Sequence, residues 1–331
     1  MLAASPGGNF SHSSFVFRGF PALRHHHQLL ALPFSASYLT VLLGNGVLVH
    51  VIRRTGSLHG PMYLLLCALC AVDVLSATAI VPGLLLALLF GWDRISLAGC
   101  LTQMFFTHFL SSLESTLLLA MALDRYAAVC RPLRYAELVG APAAVKLLLF
   151  ALVRSGSIMA TLVALAGSLR FCGSNAVRHC YCDHMALVSL ACGGTERSSA
   201  AGLAVIVCFV GVDIPLICLS YAKILSAVFK AAAGGEERRK ALHTCGTHLI
   251  VMMCFYLVGS VSFLSHNLNI GIPTDANTLM GLVYILLPAT VNPVVYGVRT
   301  TEIRNALLRL LAGRGQNRTA RKVSPAGDSQ T

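Results

Sequence analysis

Seven long apolar stretches alternate with polar segments along almost the whole chain, and these segments are short except for 167–198. The apolar stretches cover residues 28–52, 61–90, 98–123, 142–166, 199–224, 241–265 and 276–298. Each is near or above the roughly 20 residues that an α-helix needs to cross the hydrocarbon core of a bilayer. Such lengths argue against a membrane β-barrel, whose strands are about 10 residues long and alternate in polarity. The pattern predicts an all-α membrane protein, a bundle of seven transmembrane helices.

Two regions flank the predicted bundle. Residues 1–27 are expected to form an extracellular N-terminus, 28–298 the seven-helix transmembrane domain, and 299–331 a cytoplasmic region. Within the last region, residues 300–311 place apolar and basic side chains at helical spacing, which predicts a short amphipathic eighth helix at the membrane surface. The polar tail from Gly313 onward is predicted to be disordered.

Composition and charge agree with a membrane protein. The chain is 56% hydrophobic and only 11% charged, too apolar for a soluble domain of 331 residues. Its net charge of +12 would suit a nucleic-acid partner. However, the basic residues cluster after every second span, and therefore on one side of the membrane, at 53–54, 125–134, 223–240 and 299–322. This positive-inside pattern places the N-terminus outside and the C-terminus in the cytosol. The sequence therefore predicts a multi-pass plasma-membrane protein whose basic segments meet membrane lipid and not nucleic acid.

The segments predicted to lie outside carry a modification site and several cysteines. Asn9 begins an Asn-Phe-Ser sequon for N-glycosylation. Five cysteines lie on the same side, where disulfides persist, and an odd number leaves at least one unpaired. These are Cys100, Cys172, Cys180, Cys182 and Cys192. A zinc site at 180–182 is the less favoured alternative, because oxidising surroundings favour bridges.

Charged side chains interrupt several of the apolar stretches, including Asp213 in the fifth. Asp73 and Glu114 lie in the second and third spans, and two buried carboxylates do not both stay ionised without a cation or a shared proton. The favoured interpretation is a sodium or proton site, and the alternative is a pair of hydrogen-bonded anchors between helices. Arg154 in the fourth span either pairs with a carboxylate or extends its charged head toward the interface. These residues leave open an alternative function, an intramembrane ion or proton carrier or channel.

Two motifs mark the predicted inner ends of spans. Asp124-Arg125-Tyr126 follows the third apolar stretch, and charges at a membrane edge are costly and usually functional. Asn292-Pro293 lies in the seventh stretch, where proline kinks the helix and asparagine can satisfy the freed backbone polarity. The two motifs predict a signalling surface and a hinge. An enzyme is not predicted, because no nucleophile, base and orienting group recur at a recognisable spacing.

Taken together, the motifs resemble the olfactory receptors, a family of rhodopsin-like G-protein-coupled receptors. The resemblance extends over nearly the whole chain. It is carried by Gly44-Asn45, Leu-His-Gly-Pro-Met-Tyr at 58–63, Asp73, Met-Ala-Leu-Asp-Arg-Tyr at 121–126, Ser220-Tyr221, Lys-Ala-Leu-His-Thr-Cys at 240–245 and Asn-Pro-Val-Val-Tyr at 292–296. Gln103-Met104-Phe105-Phe106, His108 and Glu114-Ser115 are similar to the fish-like class I branch. Leu123 and His243 replace the tyrosine and serine commonest in the family's motifs, and 254–257 lacks the tryptophan and proline of other rhodopsin-like receptors.

The resemblance implies a sensory receptor in the cilia of sensory neurons, which binds a small odorant and activates a stimulatory G protein that raises cyclic AMP. The residues implied in the conformational switch are Asp124, Arg125, Tyr126, Tyr221, Asn292, Pro293 and Tyr296. It also implies the disulfides Cys100–Cys182 and Cys172–Cys192, which would leave Cys180 as the odd thiol. No cofactor is expected apart from a sodium ion at Asp73 and Glu114.

The resemblance also implies an odorant pocket between the third, fifth, sixth and seventh spans. A helical stripe of polar residues and several apolar residues are candidates for its lining: Phe105, His108, Ser111, Ser112, Ser115, Ile206, Phe209, Tyr256 and Phe263. Many class I receptors take carboxylic acids through a basic residue at the outer end of the sixth span. This chain has His266-Asn267 there, so an acid ligand is not expected.

Overall fold

The computed structural model describes residues 11–230, 235–267 and 272–322. Long helices dominate this part of the chain. The α-helices are α1 His27–Arg54, α2 Pro61–Phe90, α3 Leu97–Cys130, α4 Tyr135–Leu138, α5 Ala141–Gly167, α6 His184–Val188, α7 Glu196–Lys230, α8 Gly235–Asn267, α9 Thr274–Arg299 and α10 Thr301–Lys322.

The predicted seven-helix bundle is confirmed. Among the described residues, six helices are long and apolar enough to cross a membrane, namely α1, α2, α3, α5, α7 and α9. The seventh, α8, contains the shorter apolar stretch Cys245–Leu257. The helix α10 follows α9 directly and packs Ile303 and Ala306 against the bundle. The protein is therefore a multi-pass membrane protein.

Local sequence signals explain where the helices begin and end. Pro61 stands at the first position of α2, where its missing N–H costs nothing. Gly91 ends the same helix with φ of 69°, a left-handed conformation that glycine adopts without strain. Ser96 caps α3 by accepting a hydrogen bond from the backbone N–H of Gly99 at 3.1 Å.

Three short strands form a sheet at one end of the bundle, which we call the strand end. The strand β1, Ser14–Phe17, lies between β2, Arg94–Ser96, and β3, Ala176–Val177. It pairs antiparallel with β2 and parallel with β3. Phe15 of β1 is fully buried and packs edge-on against Phe171. The sheet thus fixes the N-terminal segment onto the loops that follow α2 and α5.

Two disulfides tie the same loops together. Cys100 at the start of α3 is bonded to Cys182, and Cys172 is bonded to Cys192. This is the pairing that the resemblance implies. Cys180 is a free, buried thiol. Because Cys182 is held at the top of α3, the residues beside it lie over the helix bundle.

Removal of the bridge between Cys100 and Cys182 should lower stability markedly. The bond closes a loop with a sequence separation of 82 residues, and such a cross-link typically contributes about 2–4 kcal/mol. The double variant Cys100→Ser, Cys182→Ser is expected to unfold several degrees lower than the parent in a thermal scan of purified protein in nanodiscs. Cys180→Ala, in the same loop without a bridge, is the control and should change the midpoint much less. Equal midpoints for the two variants would contradict the expectation.

The tail differs from the prediction in one respect. The apolar stripe predicts an amphipathic helix ending at residue 311, followed by disorder from Gly313, whereas α10 continues to Lys322. The structure has helix at 313–322, and the rest of the tail predicted to be disordered, 323–331, lies outside the described residues. Once a helix is nucleated, each further residue adds one backbone hydrogen bond, so a helix can extend past its amphipathic part.

Candidate functional site

The Asp124-Arg125 motif lies near the end of α3 that is remote from the strands. The carboxylate Oδ2 of Asp124 accepts hydrogen bonds from Arg125 Nε at 3.0 Å and Nη2 at 2.6 Å. The hydroxyl of Tyr135 on α4 donates to Oδ1 of Asp124 at 2.9 Å. The side chain of Asp124 is only 1% exposed, against 21% for Arg125. This geometry holds the arginine against its own helix. Tyr126, the third residue of the motif, is half-buried and packs against the surrounding apolar cluster.

Burial, followed by the nearby Asp124 carboxylate, raises the pKa of Tyr135 to about 12. The phenol therefore stays protonated at neutral pH and remains a hydrogen-bond donor. Because the pKa is raised above its unfolded value, the stabilising contribution of this hydrogen bond is complete below about pH 10. It is lost only as the pH rises from there toward 12.

Two predicted switch tyrosines lie close to this motif. The hydroxyl of Tyr296 on α9 is 3.2 Å from Nδ1 of His248 on α8. Tyr221 on α7 is buried, and its hydroxyl has no hydrogen-bond partner in the described part of the chain. The structure thus brings side chains from α3, α7, α8 and α9 together around one end of the bundle, and Tyr221 retains an unused donor.

A second polar group occupies the middle of the bundle. Asn292 of α9 donates from Nδ2 to Oδ2 of Asp73 at 3.0 Å. Pro293 is the next residue of α9 and packs closely against Gly44 of α1. A Cβ on Gly44 would come within 2.9 Å of the proline ring. Glu114 is buried and interacts electrostatically with Asp73. The hinge motif and the two predicted carboxylates therefore lie at one level of the bundle.

A buried ion pair joins α5 to α7. Arg154 donates from Nη2 to Oδ1 of Asp213 at 3.1 Å, and the two side chains are 17% and 0% exposed. The guanidinium also lies 4.3 Å from the ring centroid of Phe209. Ser115 donates to the other oxygen of Asp213 at 2.7 Å, and its hydroxyl is 2.9 Å from that of Tyr256. This chain of contacts, the Arg154 network, links α5, α7, α3 and α8, and it answers the question that the sequence left open about Arg154.

A cavity that is in part open to solvent lies between α3, α5, α7, α8 and α9. We call it the bundle cavity. Its floor includes Ser115, Phe209 and Tyr256, which belong to the Arg154 network. Tyr181 and Asp183, on either side of Cys182, lie along its wall at the strand end. The cavity thus connects the disulfide-bridged loop directly to the buried ion pair.

Comparison with known proteins decides what this architecture is. The family model described as olfactory receptor matches residues 34–314, most of the chain. The chain belongs to the olfactory receptor family. Olfactory receptor 52D1 of Homo sapiens is 39% identical over 299 residues, which cover 90% of this receptor and 94% of that protein. Olfactory receptor 51E2 of Rattus norvegicus is 39% identical over 302 residues, covering 91% and 94%. Relatives numbered 51 and 52 fit the class I branch.

The fold agrees with this assignment. The crystal structure of squid rhodopsin superposes on the receptor with a TM-score of 0.71, covering 93% of this chain and 89% of that chain. The sequence identity is 15%, so this likeness shows the fold alone. As an olfactory receptor the protein is not an enzyme, and the comparisons do not favour an ion carrier.

Most of the predicted pocket residues of the receptor line one cavity. The ones that do are His108, Ser111, Ser112, Ser115, Ile206, Phe209 and Tyr256. Phe105 does not line the bundle cavity: its ring stacks on Phe109 at a centroid distance of 5.6 Å and belongs to a packed apolar cluster. The side chain of Phe263 and the whole of Asn9 lie outside the described residues.

Several lining residues of the receptor were missed by the sequence analysis. Thr107, Met159, Val205, Val210, Phe255, Gly259, Tyr284 and Ile285 come from helices. Some of these follow helical spacing from predicted residues, as Thr107 lies four positions before Ser111 and Val210 four positions after Ile206, so an extended stripe could have found them. Tyr181 and Asp183 could have been found in a different way. They flank Cys182, and the implied bridge from Cys182 to Cys100 holds them near the start of α3.

Proposed function

We propose that this olfactory receptor binds small odorants in the bundle cavity and activates a stimulatory G protein, which raises cyclic AMP. The N-terminus, with a glycan on Asn9, faces the outside of the plasma membrane of sensory-neuron cilia. One observation carries the proposal: a cavity lined mainly by apolar side chains shares three residues with a buried polar network, while Arg125 is held at the opposite end.

Ligand binding would act by a shift of population between two conformations. An odorant that contacts Tyr256 on α8 and Ser115 on α3 more favourably in one arrangement stabilises that arrangement by the difference in affinity. The moving element would be α8, which meets Ser115 through Tyr256 and meets α9 through His248 and Tyr296. Release of Arg125 from Asp124 then exposes a cation at the surface that the G protein contacts.

The direct test is an odorant response in cells that carry a cyclic-AMP reporter. Arg125→Ala is expected to remove at least nine-tenths of the odorant-dependent rise at matched surface expression, because the arginine is the group released for coupling. Arg309→Ala, an exposed cation on α10, is the control and should retain most of the response. A full response in Arg125→Ala would overturn the proposed coupling route, and an odorant-independent ion flux without G protein would favour the carrier alternative.

A sodium ion is the proposed ligand of the Asp73 and Glu114 level. Four buried oxygens there have no hydrogen-bond partner among the described residues, namely Asp73 Oδ1, Ser76 Oγ, Glu114 Oε1 and Asn292 Oδ1. Carboxylate, hydroxyl and amide oxygens are ligands that suit a hard cation. In the described part of the chain, no group of three or more His, Cys, Asp and Glu side chains could hold a metal ion, so a multidentate transition-metal site is not proposed. The cation would supply the charge that two buried carboxylates need.

A sodium ion bound at this level would stabilise the arrangement described above, in which Asp124 holds Arg125. Sodium should therefore oppose activation. Replacing choline by sodium at 150 mM in a membrane assay of G-protein activation is expected to raise the half-maximal odorant concentration roughly three- to tenfold, a coupling of about 1 kcal/mol. Asp73→Asn should remove this dependence, because the carboxylate is lost while the shape is kept. Equal sodium sensitivity in the parent and Asp73→Asn would contradict the sodium assignment.

A further inference from the structure

The bundle cavity has a distinctive charge pattern. No lysine or arginine lines it among the residues that the structure describes. The segment 258–271 includes side chains that the structure does not describe, and its sequence contains neither residue. Arg154 lies below the floor and is neutralised by Asp213. The cavity therefore offers no free cation to an anionic ligand.

Of the described lining residues, one carries a carboxylate. Asp183 accepts hydrogen bonds at Oδ2 from the backbone N–H groups of Met185 at 3.0 Å and Ala186 at 3.1 Å, the bonds of a helix N-cap. A ligand carboxylate would enter a low-dielectric space beside this carboxylate, and no lysine or arginine lines that space among the described residues. The charge pattern therefore disfavours acids.

Most hydroxyls of the cavity already have partners within the protein. Ser112 donates to Ser155 at 2.7 Å, Ser115 donates to Asp213, and Ser111 hydrogen-bonds Tyr284. Within the described part of the chain, two lining side chains have a buried polar atom without a partner, Thr107 at Oγ1 and His108 at Nε2. A buried nitrogen without a partner is unfavourable, and a ligand oxygen that reaches it removes this cost.

The chemistry of imidazole narrows the ligand further. Nε2 of neutral His108 is a donor in one tautomer and an acceptor in the other. A ligand hydroxyl can serve either, and a carbonyl oxygen can accept from the N–H tautomer. The remaining wall is largely apolar, with Met159, Val205, Ile206, Phe209, Phe255 and Ile285 along it. A hydrocarbon chain with one neutral oxygen function matches both parts of the cavity.

We infer that the bundle cavity selects neutral aliphatic alcohols, aldehydes or ketones, with the oxygen on His108, and that it discriminates against carboxylates of the same chain length. This inference rests on the proposed function, since it takes the bundle cavity as the odorant site. A primary amine, which Asp183 would attract, is the competing class. The Asp183 carboxylate already accepts two backbone hydrogen bonds, which weakens its demand for a further cation.

The test measures binding without a G protein. Purified full-length receptor in nanodiscs is titrated with 1-octanol, octanal, octylamine and sodium octanoate at pH 7.4, with the hexyl and decyl series in parallel, and the shift in thermal unfolding is recorded. The alcohol and aldehyde are expected to bind at least tenfold more tightly than the octanoate, a difference of about 1.4 kcal/mol. Octanoate or octylamine binding as tightly as the alcohol would overturn the inference, and so would the absence of a shift with every compound.

Three variants make the assignment to residues specific. His108→Leu should weaken alcohol binding at least tenfold, whereas His108→Gln, which keeps a donor and an acceptor, should stay within about threefold of the parent. Asp183→Asn keeps an acceptor for the helix cap but removes the charge, so it should narrow the preference for alcohol over octanoate at least tenfold. An unchanged preference in Asp183→Asn would overturn the electrostatic part of the inference.

The two proposals fail in different ways. Octanol binding without any rise in cyclic AMP in cells would count against the proposed G-protein coupling and leave the ligand class supported. A cyclic-AMP response to octanoate or octylamine, but not to octanol or octanal, would overturn the ligand class and leave the receptor function supported.

Discussion

Replacement of either Arg154 or Asp213 by an uncharged residue is expected to lower the free energy of unfolding by about 3–5 kcal/mol, which makes this ion pair one of the most sensitive points of the receptor. Removing one partner leaves the other as an uncompensated charge inside the bundle. Arg154→Ala would strand a carboxylate that is 0% exposed. Asp213→Ala would in addition remove the acceptor of Ser115. Thermal unfolding in nanodiscs should fall by roughly 10 °C, with a matching loss of receptor at the cell surface.

A double variant separates the charge from the packing. Buried ion pairs can often be replaced by apolar residues of similar volume with little loss of stability. Arg154→Met combined with Asp213→Leu should therefore recover most of the stability that either single change loses. The exposed pair of Arg18 and Asp93, at 3.4 Å with side chains 52% and 29% exposed, is the control, and Arg18→Ala should cost less than about 1 kcal/mol. If the double variant is as unstable as the sum of the single variants, the stranded-charge explanation is wrong.

Asp124→Asn is expected to raise basal cyclic-AMP signalling by about tenfold or more in the absence of odorant. The change removes the charge that holds Arg125, and a hydrogen bond to a charged group contributes about 1.5–3 kcal/mol. Losing that amount from the inactive arrangement alone moves the equilibrium toward the active one by a factor of about ten to a hundred. Tyr135→Phe removes only the neutral donor to the same carboxylate and should raise basal signalling less.

A double variant distinguishes a specific restraint of Arg125 by Asp124 from a general loss of structure. Asp124→Asn combined with Arg125→Ala should return to little or no signalling, because the group that is released is then absent. Reporter signal is compared at equal surface expression, and unfolding midpoints are measured alongside. Basal signalling that stays low in Asp124→Asn, at normal expression and stability, would show that this pair does not restrain the receptor.

The site was only partly predictable from the sequence, and the misses follow a pattern. Side chains on one helix stripe, such as His108, Ser111 and Ser115, were assigned to a common surface because helical periodicity places them there. Phe105 does not line the cavity: periodicity gives the face of a helix but not the neighbours that cover it, and Phe105 packs against an apolar cluster of Met159, Leu162 and Phe209 from α5 and α7. The partner of Arg154 remained open for a similar reason, since Asp213 lies 59 positions away on another helix.

By itself the sequence determined the number of spans, their predicted orientation and the signalling motif at the end of α3. These features depend on local composition, because a bilayer accepts only apolar segments whose backbone hydrogen bonds are satisfied within the segment. The contact between Asp124 and Arg125 can also be predicted locally, since residues that are adjacent in the chain stay adjacent in space. Only the tertiary structure decided that Asp213 neutralises Arg154, that Tyr135 reaches Asp124, and that the loop around Cys182 lines the bundle cavity with Asp183. Such contacts join residues far apart in the chain, and their existence depends on how whole helices and loops pack and not on any local pattern.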